Sequence, residues 1–135
     1  MSLLVPDASL LVAALTDDGD LGRWAEETIA SAAGELAAPE LVCAEAANIL
    51  RRAERSGRIS SATAAAAHEE LLALDLVTFP YLPFAGRIWE LRSTVTAYDA
   101  WYVAVAEAVD APLATVDGRL TRAPGTRCRF LAPER

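Results

Sequence analysis

The segment AYDAWYVAVAEAVDAPLATVDGRL, residues 97–120, predicts a helix that leads into a short buried strand. The helix is predicted over residues 98–109 and the strand over residues 112–116, with Asp99 in the first helical turn and Asp117 just after the strand. Helices that alternate with short apolar strands are typical of a parallel sheet. In open sheets of this kind the working site lies beyond the carboxyl ends of the strands, so both aspartates are expected at a functional edge.

The rest of the sequence continues this alternation. We predict further strands at 3–5, 36–38, 76–79 and 127–131, and further helices at 8–15, 21–33, 40–55, 61–74, 84–94 and 118–121, with the second helix ending at Gly34. The predicted strands are apolar on both faces, as buried parallel strands are. The expected fold class is therefore α/β, a single domain spanning residues 1–135 with helices on both faces of a parallel sheet.

The composition excludes several classes of protein. The net charge is -7 and all 12 basic residues are arginines, so the chain lacks the positive surface with which proteins grip duplex nucleic acid. The apolar start carries no basic residue and is interrupted by Pro6 and Asp7, so no signal peptide is expected. No apolar run reaches the roughly 18 residues of a membrane span. Because Cys43 and Cys128 also lack metal-ligand spacing, we expect a cytoplasmic protein with two reduced thiols.

Three aspartates stand where the predicted strands and helices meet. Asp7 follows the first strand, Asp117 follows the fourth, and Asp99 begins a helix. Each also has a purely structural explanation. Asp7 suits a helix cap, and Asp99 matches a capping box with Thr96. Asp117 and Gly118 form a common turn pair. Both explanations stay open, because a carboxylate can cap a helix with one oxygen and bind a metal with the other.

Glu45 is harder to explain structurally. It lies within the largely apolar helical segment LVCAEAANIL, residues 41–50, with no cation in local helical reach. A carboxylate in such surroundings is costly unless something pairs with it. Asn48 lies one turn further along the same face and could orient Glu45 by a hydrogen bond. Glu45 is therefore a fourth candidate site residue.

Four converging carboxylates would repel one another and attract a divalent cation that prefers oxygen ligands, Mg²⁺ or Mn²⁺ rather than zinc. Such a cation would hold a phosphodiester oxygen and lower the pKa of a water molecule, which then attacks in line. The only histidine, His68, allows no Ser-His-Asp or Cys-His site and is expected at the surface. The predicted chemistry is metal-dependent phosphodiester hydrolysis.

Four motifs, in this order and spacing, carry a family resemblance. They are VPDASLLV at 5–12, PELVCAEAANIL at 39–50, AYDAWYVAVAEAV at 97–109 and LATVDGRL at 113–120. Together they resemble the PIN-domain ribonucleases, specifically the VapC-type toxins of bacterial toxin–antitoxin pairs, over nearly the whole chain. The resemblance implies a parallel sheet in the order 3-2-1-4-5. It also implies a set of catalytic and metal-binding acids and three supporting residues: Asp7, Glu45, Asp99 and Asp117, with Ser9, Asn48 and Thr115.

The function that the resemblance implies is a Mg²⁺-dependent endoribonuclease, with Mn²⁺ as a substitute, that cleaves single-stranded regions of RNA such as tRNA or rRNA. Whether one or two metal ions act stays open. The resemblance also implies a homodimer and a small VapB-like antitoxin whose C-terminal segment inserts a basic residue into the acidic pocket. A hydrophobic content of 53% agrees with a covered interface. In one departure, Pro6 stands where such proteins usually carry an aliphatic residue, and it is expected to end the first strand slightly early.

Other functions fit the sequence less well. Phosphoacceptor domains and haloacid-dehalogenase-type phosphatases also place acids at strand ends, but both require a lysine, which this chain lacks. The main alternative is a catalytically inert PIN-like module that binds RNA or a protein, although such modules typically lose one or more of the acids. Arginines on the helix 40–55 and after Asp117 either steer RNA or form ordinary solvated flanks: Arg51, Arg52, Arg55 and Arg58, with Arg119 and Arg122.

Overall fold

The computed structural model describes residues 3–33 and 35–134, which form an α/β fold with parallel strands. One group of strands contains β1 (Val5–Pro6), β4 (Leu113–Ala114) and β5 (Phe130–Leu131), in the order β1-β4-β5. The other pairs β2 (Leu36–Pro39) with β3 (Leu76–Phe79). A single parallel bridge, from Leu4 to Leu36, joins the two groups. The predicted order 3-2-1-4-5 is thus confirmed within each group, and the β1–β2 contact is limited to this bridge.

Six α-helices connect the strands in the described part of the chain. They are α1 (Ala8–Thr16), α2 (Asp20–Ala30), α3 (Val42–Arg55), α4 (Ser61–Ala73), α5 (Ala85–Glu90) and α6 (Ala97–Val109), with 3-10 turns at Leu82–Phe84 and Leu120–Arg122. Side chains of Asp7, Ser60 and Thr96 cap α1, α4 and α6 by accepting backbone N–H bonds. Every predicted helix is therefore present, with the predicted segment at 118–121 reduced to a 3-10 turn.

Two helices are shorter than predicted. The end of the second helix was expected at Gly34, which lies outside the described residues, but α2 already ends at Ala30. The backbone then tightens into a turn, and Ala33 adopts a positive φ of 51°. Similarly, α5 ends at Glu90, and the predicted continuation to residue 94 forms turns instead. In both places hydrogen bonds to the carbonyl three residues back replace the helical pattern.

The core is divided by the sheet. Val5 and Leu113 pack into a cluster with residues of α3, α4 and α6, whereas their strand neighbours Leu4 and Ala114 pack into a second cluster with Ala25 of α2. Successive side chains of a strand point to opposite faces, so the two clusters lie on opposite sides of the sheet. This arrangement confirms that helices cover both faces.

Pro6 does not end the first strand early, contrary to the sequence-based expectation. It is paired with β4, and the following residue, Asp7, still donates its backbone N–H to β4 at 3.0 Å. Alternate N–H groups of a parallel strand point to opposite neighbours. Val5 and Asp7 donate towards β4, and Leu4 donates on the β2 side. The missing N–H of Pro6 therefore falls on the side where, among the described residues, β1 pairs only at the Leu4 bridge.

Three minor expectations can also be compared with the structure. His68 is exposed on α4, as predicted. Cys43 and Cys128 are free thiols and partly buried. Of the helices within residues 3–33 and 35–134, none has both the length and the apolar character needed to cross a membrane.

Candidate active site

The four predicted acids line one cleft at the carboxyl edge of the sheet. The cleft has a volume of about 380 Å³, and its walls include Asp7, Glu45, Asp99 and Asp117. The acids come from four places in the chain: the end of β1, the first turn of α3, the first turn of α6, and the loop after β4. Ser9 and Asn48 also line the cleft. Two further residues in its walls were not among the predicted site residues: Tyr102, and Arg52, which was considered only for steering RNA.

Asp7 is held rigidly at the base of this acidic cleft. Its Oδ1 accepts hydrogen bonds from the Ser9 hydroxyl at 2.7 Å and from the Leu10 backbone N–H at 2.9 Å. Asp7 is therefore the N-cap of α1, as the structural explanation proposed. The residue is only 8% exposed, yet it still borders the cleft. Capping and cleft lining are thus combined in one side chain.

Asp117 is positioned by a turn. Its backbone N–H donates to the hydroxyl of the fully buried Thr115 at 2.9 Å. One carboxylate oxygen accepts from the Arg119 backbone N–H at 2.9 Å, which closes the turn after β4. Thr115 lies beneath the cleft rather than in its wall. Its side chain orients the turn that carries Asp117 and also hydrogen-bonds the Asp7 carboxyl, which lowers the pKa of Asp7.

Asp99 shows half of the predicted capping box. The Thr96 hydroxyl accepts the Asp99 backbone N–H at 3.1 Å, which begins α6. Among the described residues the Asp99 carboxylate does not accept the Thr96 backbone N–H that would complete the box. The carboxylate is partly buried and lines the acidic cleft. The carboxyl keeps a hydrogen bond with the Thr96 side chain, so the cap and the site share this residue.

Glu45 is oriented by a partner that sequence reasoning missed. The Tyr102 hydroxyl donates to Glu45 Oε1 at 2.6 Å, and Tyr102 itself is only 2% exposed. The predicted hydrogen bond from Asn48 to Glu45 is not found among the described residues, although Asn48 lines the same cleft. Tyr102 lies three residues after Asp99 on α6, so helical spacing puts both on one face. That spacing was the signal available in the sequence.

The electrostatics of the cleft show that the acids interact. Burial raises the pKa of Asp7, and the charge of Asp117 raises it further. Burial also raises the pKa of Glu45, with further increases from the charges of Asp99 and Asp7. The pKa of Asp99 is raised by burial and then by Asp7 and Asp117, while Arg119 lowers it. The pKa of Asp7, Glu45 and Asp99 is thus in each case raised by at least one neighbouring carboxylate, as expected for acids that share a site.

The donor set fits a hard divalent cation. It consists of carboxylate oxygens, without the histidine or thiolate ligands that zinc prefers. Within residues 3–33 and 35–134, no three His, Cys, Asp or Glu side chains stand close enough together to form a ready ligand set. Mg²⁺ needs no such set, since it commonly keeps several waters and binds one or two carboxylates. The cleft thus suits Mg²⁺ better than a cation that requires a complete protein cage.

The Tyr102–Glu45 hydrogen bond gives a first testable prediction. Tyr102→Phe keeps the ring in place and removes the only donor to Glu45 Oε1 among the described residues. An unpaired, partly buried acceptor is costly, so the free energy of unfolding should fall by about 1 kcal/mol. Urea denaturation measures the change. Tyr98→Phe is the control, since Tyr98 is 58% exposed on the same helix, and an equal loss there would contradict the assignment.

Comparisons with known proteins agree with this geometry. A family model described as the PIN domain matches residues 4–125. Ribonuclease VapC1 of Mycobacterium tuberculosis is 41% identical over 135 residues, covering 96% of this chain and 97% of that protein.

Solved structures show the same fold. VapC20 of Mycobacterium tuberculosis, described as a sarcin–ricin loop cleaving toxin, superposes with a TM-score of 0.69 at 18% identity and covers 92% of this chain and 96% of its own. VapBC2 of Rickettsia felis, solved bound to a fragment of promoter DNA, gives a TM-score of 0.66 at 15% identity, with 98% and 99% covered. At these identities the likeness establishes the fold. Together with the family model and the VapC1 match, it leads to one conclusion: the chain belongs to the PIN-domain family, among the VapC ribonucleases.

Proposed function

We propose that this protein is a Mg²⁺-dependent endoribonuclease, the toxin of a VapBC-type toxin–antitoxin pair, that hydrolyses phosphodiester bonds in single-stranded RNA. The observation that carries the proposal is the convergence of Asp7, Glu45, Asp99 and Asp117 on one cleft from four separate elements. Such convergence is not needed to cap helices or close turns, because each of those local tasks uses only the near neighbours in the chain. The membership among VapC ribonucleases supports the same activity.

In this mechanism the acidic cleft would hold Mg²⁺, or Mn²⁺ in its place, with one or two of the four acids bound to the ion directly and the others through its waters. The cation would offset negative charge on the scissile phosphate and lower the pKa of a nearby water. Ser9 and the Leu10 N–H fix the Asp7 carboxylate, so its position does not depend on the ligand. Tyr102 occupies Oε1 of Glu45 and leaves Oε2 available. Because the pKa of Glu45 is raised by burial, Oε2 is suited to accept a proton from the attacking water.

The partner in this proposal is a small VapB-like antitoxin. Its C-terminal segment would insert a basic residue into the acidic cleft, where like charges already raise the pKa of the acids. Several large apolar side chains are exposed, which supports a second protein interface, and we assign this interface to a homodimer. They include Leu72, Val77 and Leu82. The RNA substrate would be of the tRNA or rRNA class, and the protein would act in the cytoplasm.

Cleavage of single-stranded RNA tests this function directly. Wild-type protein is expected to cut RNA in Mg²⁺ and to stop when EDTA is added. Asp99→Asn removes one charged ligand, and we expect a loss of activity of about 100-fold or more. Calorimetric titration with Mg²⁺ should show weaker binding by the same variant.

The control for this experiment lies on the same helix. Asp110→Asn makes the same chemical change at the opposite end of α6, where the side chain is 99% exposed and far from the acidic cleft in the fold. It should keep wild-type activity and Mg²⁺ affinity. RNA binding without any metal-dependent cleavage would instead favour the inert module. Unchanged Mg²⁺ binding in Asp99→Asn would remove Asp99 from the metal site.

A further inference from the structure

A second cleft opens beside the acidic cleft at the same edge of the sheet. It has a volume of about 710 Å³ and shares Asp99, Asp117 and Leu120 with its neighbour. Its other walls carry three arginines, Arg92, Arg119 and Arg122. These outnumber the two shared aspartates by one positive charge, in a chain whose net charge is -7. We call this surface the arginine cleft.

The arginines of this cleft are not consumed by internal ion pairs. Arg122 is exposed and pairs with no carboxylate among the described residues, and the same holds for Arg92. The Arg92 guanidinium lies 4.6 Å from the centroid of the Trp89 ring and donates to the Trp89 carbonyl at 2.7 Å, which restrains its position. Arg119 reaches Asp117 only at 3.4 Å, with 87% of its side chain exposed. Such an exposed pair contributes little, so all three guanidinium groups can bind an external anion.

We propose that the arginine cleft binds the backbone phosphates of single-stranded RNA next to the bond that the acidic cleft would cut. This inference rests on the proposed function. A strand that approaches the acidic cleft meets four carboxylates, which repel its phosphates. The adjoining arginines supply the opposite charge at the one edge where both clefts meet. Guanidinium groups bind phosphate oxygens in pairs, so they can fix a strand as well as attract it.

The shape of the cleft agrees with a strand rather than a small ligand. The two clefts are continuous through Asp99 and Asp117, so one polymer can occupy both. Ser93 lies in the wall beside Arg92, and its hydroxyl group can donate to a phosphate oxygen. The contact would be made to the backbone, and it would therefore be independent of base sequence.

The test is RNA binding without cleavage. A fluorescently labelled single-stranded RNA is titrated with wild-type protein in EDTA and followed by anisotropy at several salt concentrations. Arg122→Glu is expected to weaken binding about tenfold or more and to lower the salt dependence by about one phosphate contact. Arg92→Gln should give a smaller loss. Arg129→Glu is the matched control, because Arg129 precedes β5 at the opposite edge of the sheet and is 67% exposed.

The outcomes separate this inference from the proposed function. Cleavage of RNA by wild-type protein in Mg²⁺, with Arg122→Glu binding RNA as tightly as wild type, would overturn the arginine cleft alone. Loss of affinity in Arg122→Glu but not in Arg129→Glu supports the cleft whether or not cleavage is seen. If Arg122→Glu keeps its RNA affinity but loses affinity for polyglutamate, the cleft takes an acidic peptide and the inference is wrong. Thermal unfolding of each variant shows that the fold is retained.

Discussion

Replacing Asp7 by Asn is expected to abolish most RNA cleavage and, at the same time, to raise the thermal stability of the metal-free protein. Activity should fall by about 100-fold or more, because the variant loses a charged ligand at the base of the acidic cleft. Stability should rise because Asp7 is only 8% exposed and lies near other carboxylates. Asn removes the buried charge and still caps α1, since Asn and Asp are about equally good N-caps.

The pH dependence of this gain follows from the direction of the pKa shift. Burial and the charge of Asp117 raise the pKa of Asp7 in the folded protein above its ordinary value of 3.8. A group with a raised pKa stabilises the fold in its protonated form, and that contribution is lost as the pH rises through the folded pKa. Asp7→Asn should therefore unfold at a higher temperature than wild type at neutral pH, and the difference should vanish in acid.

Differential scanning calorimetry in EDTA measures both points, and added Mg²⁺ supplies a second comparison. Mg²⁺ should stabilise wild type and have little effect on Asp7→Asn, because binding to the folded state alone raises the unfolding temperature. Asp17→Asn is the matched control, since Asp17 also accepts backbone N–H groups in a turn but is exposed outside the cleft. A lower unfolding temperature for Asp7→Asn in EDTA would show that its charge is needed for folding rather than tolerated for function.

For three of the four acids the shared position in the cleft was predictable, because each is marked by a local conflict or by a rule of the fold. Asp7 and Asp117 follow apolar strands, and parallel sheets gather such positions at one edge. Glu45 has no local cation in an apolar helical segment, which marks it as a residue with a distant partner. The spacing on α6 places its partner Tyr102 on the same face as Asp99, but the local sequence does not show that Tyr102 bonds to Glu45. Tyr102 is 57 residues away from Glu45, and the short distance between them arises only when α3 and α6 pack together.

The lengths of the strands, by contrast, could not be predicted from the sequence. An apolar run predicted a strand at 112–116, whereas β4 covers only Leu113–Ala114. Apolar residues indicate burial, but a strand also needs a neighbour in register, and the neighbour is set by the whole fold. The same reasoning explains why Pro6 is tolerated in β1, since its missing N–H faces away from β4, the strand with which β1 pairs.

The other large prediction concerns the ion pair between Glu107 and Arg87, which local sequence patterns did not reveal. Glu107 on α6 accepts two hydrogen bonds from Arg87 on α5, Nε to Oε1 at 2.8 Å and Nη2 to Oε2 at 3.0 Å. The same Oε2 accepts the Arg127 backbone N–H at 2.7 Å, and Arg87 also donates to the Gly125 carbonyl at 2.8 Å. One carboxylate thus joins two helices and the loop that leads to β5. The side chains of Arg87 and Glu107 are only 19% and 15% exposed.

Glu107→Gln should lower the free energy of unfolding at neutral pH by about 3 kcal/mol. The amide removes the charge from a largely buried ion pair and leaves the exposed Glu90 as the only carboxylate paired with Arg87 among the described residues. One carboxylate oxygen also becomes an NH₂ group, which cannot accept the N–H bonds that this oxygen accepted in the wild type. Urea denaturation gives the value. Glu90→Gln is the matched control, because Glu90 pairs with the same arginine at 3.1 Å but is 64% exposed, and it should cost less than about 1 kcal/mol.

The contribution of Glu107 should also disappear in acid. Burial alone would raise the pKa of Glu107, but the Arg87 and Arg127 hydrogen bonds outweigh it, so the pKa lies below the ordinary value of 4.5. A lowered pKa gives stability that is present above the ordinary pKa and is lost as the pH falls through the folded pKa. The difference between wild type and Glu107→Gln should therefore be constant near neutrality and shrink below about pH 4.5. A difference that stays unchanged in acid would show that the amide fails for reasons of shape, and that the ion pair itself contributes little.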